Sequence, residues 1–243
     1  MYEPRRYRSW TKDKDLISSN IVLKETDLYV SSTVNLRAKT QRLVSKYRTK
    51  LEKYIAENPE FLNSLSPITV GSKAPDIVKK MAEAGKKAGV GPMASVSGAI
   101  SEFVGKELKD FSSEVIIENG GDIYLKSSKK RTVGIYAGNS PLTGRLGLEI
   151  APEDTPLGIS TSSGTVGHSL SFGKADAVTV IANSATLSDA VATAAGNMIK
   201  TADDIPAGLE FAQKIKGVIG AVIIIGNRMG AWGKIKLSPT SLK

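Results

Sequence analysis

The 243-residue sequence predicts an α+β fold in which helices pack on a mainly antiparallel sheet. Three observations carry this. The middle of the chain is a series of short apolar runs, "EVIIENG", "DIYLKS", "RTVGIYAG" and "LGLEI", broken by Gly, Asn and Lys turns. Segments with helical spacing lie on both sides of that tract. No long linker, low-complexity stretch or periodic repeat divides the chain, so a single domain over residues 1–243 is expected.

The elements follow in order. "NIVLKE" and "DLYVSST" read as two strands with a tight turn at Thr26–Asp27. Residues 36–57 place Leu36, Leu43, Val44, Tyr47, Leu51, Tyr54 and Ile55 at helical spacing, which leaves the basic residues of that segment on the solvent face. A Pro-punctuated loop, "ENPEFLNSLSPI", comes next. The helix "APDIVKKMAEAGKKAG" then ends at Gly89. "GPMASVSGAISEFVGKELKDF" enters a further helix through Gly91–Pro92, and its small residues imply close approach by another backbone or a ligand. After the β-rich tract, "AVTVIA" is a strand. "ATLSDAVATAAGNMI" is a helix capped by Ser184 or Thr186, and "IPAGLEFAQKI" is another. "VIGAVIIIG" and "AWGKIKL" form a closing hairpin.

Composition narrows the function classes. There is no cysteine, which excludes disulfides, thiolate catalysis and cysteine-ligated metals. The longest apolar run, residues 217–226, is about half the ~18–20 residues that span a bilayer. The first ten residues, "MYEPRRYRSW", lack an apolar signal core, so a cytoplasmic protein with no membrane partner is expected. The net charge of +9 is read as a lysine-rich solvated surface. No nucleic-acid-binding motif accompanies it, and nucleic acid is not expected as a partner.

The densest motif is "GISTSSGTVGHSLSFGKADA", residues 158–177. It is not a P-loop, because five residues separate Gly167 from Gly173 and Lys174 is followed by Ala175. It is not a nucleophile elbow either, because Ser162 stands where GxSxG needs its second glycine. A Ser–His–Asp triad from a serine, His168 and Asp176 or Asp189 has nothing to mark an activated hydroxyl. Its run of Gly, Ser and Thr suits a neutral anion-binding concavity, the alternative being a polar loop without a ligand. "IIENGGDIYL" reads first as a β-hairpin, with the option that paired glycines admit a ligand beside Asn119 and Asp122. In "SDAVATAAGN", Asp189 and Thr193 share one helix face. They could offer hard oxygens to Mg²⁺, or Asp189 could simply favour the helix N-terminal dipole.

In their order along the chain, "GPMASVSG", "ENGGDIYL", "ISTSSG", His168, "AVTVIA" and "SDAVAT" resemble the ApbE-like superfamily of FAD:protein FMN transferases. The motifs "KETDLYV", "VGPMASVSGAI", "ENGGDIYL" and "TSSGTVGHSLSFGKADA" are similar to a shorter branch of it in methanogenic archaea and anaerobic bacteria, linked to sulfide assimilation and homocysteine formation. The resemblance implies a T-fold-related domain. It implies a Mg²⁺ site on the Ala94 carbonyl, Asp189 and Thr193. It also implies a flavin (FAD or FMN) flanked by Asn119, Gly120, Gly121 and Asp122 and by Thr161, Ser162, Ser163 and Gly164. His168, the one histidine, is the candidate general acid/base.

The departures are specific. Ser97 replaces the lysine of the transferase "IAKG" segment, "HSLSFGKA" lacks the transferase Asp-Pro pair, and Ser160 stands where the short branch often carries cysteine. The chain is also shorter than a typical transferase. The function implied is a transferase-like or accessory role in sulfide assimilation through a pocket for a small anionic or phosphate-bearing ligand, with sulfur-assimilation proteins or a second copy as partners. The alternative is a flavin-binding, Mg²⁺-dependent protein or residual FMN transferase.

Overall fold

The first hairpin turns where a single residue accepts left-handed backbone. In the computed structural model, which describes residues 5–10, 14–166 and 170–240, Lys24 has φ of 53°. Strand β1 (Ile17–Leu23) therefore pairs with β2 (Thr26–Ser32) through Leu23↔Thr26. The turn is Lys24–Glu25 rather than Thr26–Asp27, whose residues are buried inside β2.

Helix α1 (Arg37–Glu57) buries Thr40, Leu43, Val44, Tyr47 and Leu51. The expected loop after it contains a one-turn helix, α2 (Glu60–Asn63), which inserts Phe61 into the core. Helix α3 (Asp76–Ala88) ends on Gly89 in the left-handed region, the usual C-terminal stop. The segment from Gly91 starts as a 3-10 turn, Pro92–Ser95, before α4 (Val96–Leu108).

Strands β3 (Val115–Asn119), β4 (Asp122–Lys126), β5 (Arg131–Gly134), β6 (Leu146–Ile150), β7 (Leu157–Ser162) and β8 (Ala177–Ala182) follow. Helices α5 (Ala185–Met198) and α6 (Ile205–Gln213) and strands β9 (Val218–Ile225), β10 (Arg228–Gly233) and β11 (Leu237–Pro239) close the fold. Strand β5 stops four residues short of the expected run. "AWGKIKL" splits at Gly233, whose φ of 96° breaks the strand, so β10 completes the hairpin while β11 pairs with β6.

The main sheet has eight antiparallel strands in the order β1-β2-β3-β4-β7-β8-β9-β10, and a second sheet has the order β11-β6-β5. Period-two alternation sorts the main sheet into two faces. Val178, Val180, Ala182, Ala221 and Ile223 pack with α5 and α6, while Ala177, Ile181, Val222 and Ile224 pack with Leu148 and Ile150 of the small sheet. Under β2 and β3, a third cluster joins Leu28, Val30 and Ile117 to α1, α3 and α4. Helices thus cover one face and the small sheet covers part of the other. Among the described residues, no helix is long and apolar enough to cross a membrane.

Candidate functional site

Helix α5 is the element that positions the site. Ser184 caps it, accepting from the Leu187 amide at 3.3 Å. The buried Glu102 carboxylate on α4 completes the cap: its Oε2 accepts from Ser184 Oγ at 2.6 Å, the Thr186 amide at 2.9 Å and Thr186 Oγ1 at 2.8 Å. Burial pushes the Glu102 carboxyl upward, but Lys106 and these donors outweigh it and hold the group below its ordinary range. Small residues then let backbones touch, as the sequence implied. A Cβ on Gly98 would lie 2.2 Å from the Ala185 carbonyl, and one on Gly158 would lie 2.2 Å from the Ala185 Cα.

Along the resulting seam the expected oxygen donors meet. Asp189 Oδ2 accepts the Gly98 amide at 2.8 Å, and one turn later Thr193 Oγ1 donates to the Ala94 carbonyl at a long 3.4 Å. Asp122 opens β4 directly across from Ser160 on β7. Both carboxyls are buried. Burial raises Asp189 to about 7, against the opposing hydrogen bonds of the Gly98 and Ser97 amides. Burial, then the charge of Asp189, raises Asp122 well above its ordinary range, opposed by the Ser160 hydroxyl and by Arg5. Two like-signed groups in one enclosed seam suit a cation bound between them. Among the described residues, no three His, Cys, Asp or Glu side chains gather as a metal cage. The donors available along this contact are carbonyl, hydroxyl and carboxylate oxygens, which would suit Mg²⁺ rather than zinc.

Beside Asp122, the glycine turn behaves as the hairpin spacing predicts. Asn119 pairs with Asp122, while Gly120 and Gly121 take φ of 69° and 102°. Asn119 Nδ2 reaches the Ser97 carbonyl at 3.2 Å. Glu118 holds the turn from behind, accepting the Gly121 amide at 2.8 Å, Tyr7 Oη at 2.8 Å and Arg8 Nε at 2.6 Å.

The hydroxyl-rich segment differs from expectation. Thr161 and Ser162 end the central strand β7 rather than lying in a loop, with Thr161 Oγ1 2.9 Å from Thr179 Oγ1. The Gly164 amide donates to the Ala175 carbonyl, and the Thr165 and Val166 amides donate to Ser163 Oγ. Those three amides are taken up by the loop itself. Asp176 anchors the loop through Thr165 Oγ1 at 2.9 Å and the Gly226 amide at 2.7 Å. Ser160 is buried and shares a 2.8 Å contact with Ser188 Oγ, away from solvent. The "GK" pair packs on the end of α5: a Cβ on Gly173 would lie 1.8 Å from the Gly196 carbonyl. His168 lies outside the described residues.

Sequence reasoning missed Glu102, Glu118, Arg5 and Arg8. An acid inside an apolar helix or strand is the available signal, since a buried carboxylate must find donors. Two surface clefts lie elsewhere. One of about 170 Å³ is lined by Lys80, Lys87, Asn183 and Lys216, and one of about 350 Å³ is lined by Lys130, Lys234 and Lys236.

An antiparallel sheet backed by helices on one face is the fold of solved ApbE proteins. Solved structures with this fold include the apo flavinyl transferase ApbE of Pseudomonas stutzeri, with TM-score 0.51 and 12% identity over 93% of this chain and 95% of that one. The ApbE protein of Thermotoga maritima gives TM-score 0.54 and 13% identity over 88% and 96%. The chain belongs to the family described as "AbpE bacteria", whose profile matches residues 8–232. Similar relatives include UPF0280 protein MJ1526 of Methanocaldococcus jannaschii, 44% identical over 88% of this chain and 90% of the relative. A UPF0280 protein of Methanococcus aeolicus is 44% identical over 92% and 90%.

Proposed function

We propose that the protein binds a flavin nucleotide, FAD or FMN, in a Mg²⁺-dependent manner, with transferase-like chemistry as the activity of such a site. One observation carries the reading: the Ala94 carbonyl, the buried Asp189 and the half-buried Thr193 lie along one contact line between α5 and the turn that enters α4, with Asp122 and the Gly120–Gly121 turn beside it. When bound, Mg²⁺ would neutralise phosphate oxygens and polarise a phosphoanhydride.

The chain's own residues have defined parts in this reading. Asp189, held by the Gly98 amide, and the Ala94 carbonyl would bind the ion, with Thr193 as a neutral oxygen donor. Asp122 would sit ionised once a cation offsets its buried charge. Asn119, Gly120 and Gly121, with Thr161, Ser162, Ser163 and Gly164 on the neighbouring strand end, would flank the ligand, the glycines by exposing backbone. His168 is proposed as the group that holds or moves a proton. The sulfide-assimilation role rests on no residue of this seam, and the flavin reading takes precedence over it.

The test is a flavin fluorescence titration with and without Mg²⁺. Quenching that requires Mg²⁺ in the wild type and is no longer enhanced by Mg²⁺ in Asp189→Ala supports the reading. No binding at millimolar FAD or FMN sinks it.

A further inference from the structure

Arg5, Tyr7 and Arg8 lie against the glycine turn. Tyr7 Oη and Arg8 Nε donate to Glu118, and Arg8 Nη1 donates to Asp27 Oδ1 at 2.8 Å. The rings of Tyr7 and Trp10 pack on Tyr136, with centroids 5.7 and 5.6 Å away. This holds the segment in register with β3 although over 100 residues separate the two in sequence. Arg5 sits at its start, half-buried. Its Nη1 donates to the Asp27 carbonyl at 2.5 Å and lies 3.6 Å from Asp27 Oδ2 and 3.9 Å from Glu118 Oε1.

Among the described residues Arg5 Nη2 has no hydrogen-bond partner, and a Cβ built on Gly120 would lie 3.4 Å from it. The neighbouring Arg8 commits its guanidinium to Glu118, Asp27 and Asn20. Asn119 is neutral, position 97 is a serine, and Glu118 and Asp122 are acids.

We infer that Arg5 is a ligand-contacting residue of the site, its Nη2 edge binding a phosphate oxygen of a diphosphate-bearing ligand laid over the Gly120–Gly121 turn. The inference rests on the reading of the site as one for a phosphate-bearing ligand and adds a residue to it. Arginine suits the task because its planar fork can spend one edge on Asp27 while the other engages phosphate. The Tyr7–Arg8 clamp on Glu118 supplies preorganisation, fixing the guanidinium before ligand arrives. The profile match begins at residue 8, so Arg5 lies outside the segment by which the family is recognised.

The test uses the full chain, FAD with Mg²⁺, and inorganic pyrophosphate with Mg²⁺, titrated by calorimetry against wild type, Arg5→Gln, Arg5→Lys and the exposed control Lys86→Gln. A charge-assisted contact predicts that Arg5→Gln weakens both probes about tenfold, with a shallower salt dependence. Arg5→Lys should fall between, and Lys86→Gln should match wild type. Thermal midpoints of the variants near that of wild type show that folding is not the cause, and Arg5→Lys carries the test if Arg5→Gln unfolds. Equal affinity in wild type and Arg5→Gln overturns the inference while leaving the flavin reading in place. Arg5-dependent binding of pyrophosphate without flavin binding supports the inference and overturns the flavin reading. Binding of neither probe by wild type overturns both.

Discussion

The amide of Gly98 donates to Oδ2 of Asp189 at 2.8 Å, joining the start of α4 to the middle of α5 across 91 positions of sequence. This contact lets the part Asp189 plays in the fold be separated from its proposed part in holding a metal. Asp189→Asn retains an oxygen acceptor for Gly98 and removes the charge. Its expected outcome is a folded protein whose Mg²⁺ binding, read by calorimetry, is lost. Asp189→Ala leaves a buried amide unpaired and should cost roughly 1–3 kcal/mol in urea unfolding as well.

The raised carboxyl makes stability depend on pH in a set direction. Burial moves Asp189 from its ordinary 3.8 to about 7 in the folded chain. Between those values the folded state holds the proton and the unfolded state does not, so stability falls as pH rises from about 4 to about 7, by up to about 1.4 kcal/mol per pH unit for one group. Asp122, raised by the same burial, acts in the same sense. Carboxyls held low, such as Glu102, act oppositely, so the quantity to read is the difference between wild type and Asp189→Asn in metal-free buffer. That difference should narrow on adding Mg²⁺ at pH 7. A flat difference across this range would refute the assignment of a buried, protonated Asp189.

Gly98→Ala puts a methyl 2.2 Å from the Ala185 carbonyl and 2.8 Å from the Asp189 Cβ. Neither backbone can yield without moving α5 from α4. Overpacking predicts a loss of about 1–3 kcal/mol together with weaker Mg²⁺ binding. Gly71→Ala, where an added Cβ has nothing within 4 Å, should be neutral in both assays.

Glu102→Ala leaves the Ser184 hydroxyl and the Thr186 amide and hydroxyl without their acceptor. We expect a loss of roughly 1–3 kcal/mol and faster amide exchange at the first turn of α5. Glu102→Gln retains an acceptor and should lose less. Exchange rates in α5 equal to wild type in both variants would show that the cap does not hold the helix.

Much of this arrangement was legible in the sequence. Apolar spacing located α1 and α3, and "ENGGD" located the β3–β4 turn. Asp189 and Thr193 shared a face because an α-helix places residues four apart together. Other features were not legible for physical reasons. Thr161 and Ser162 read as loop residues because a strand end with hydroxyls on both faces carries no alternating apolar signal. The excursion of "KIKL" into the small sheet depends on β6, which lies some 90 residues earlier. The clamp of Tyr7 and Arg8 on Glu118 was hidden among basic residues that look like solvated surface, since pairing across such distances has no local signature. The amides of residues 164–166 turned inward because Ser163 and Ala175 supplied acceptors that composition alone does not locate.

The order β1-β2-β3-β4-β7-β8-β9-β10 is almost a simple meander, interrupted only where β5 and β6 leave the main sheet. During synthesis the chain can therefore build β1–β4 with α1, α3 and α4 from the residues already emerged, Ala94 and Asp122 among them, before α5 exists. Asp189 and Thr193 arrive later, on the strand–helix unit that docks against that platform. During synthesis the oxygen seam is therefore complete only after this docking, and the proposed Mg²⁺ site would form with the final assembly of the molecule rather than with its first platform.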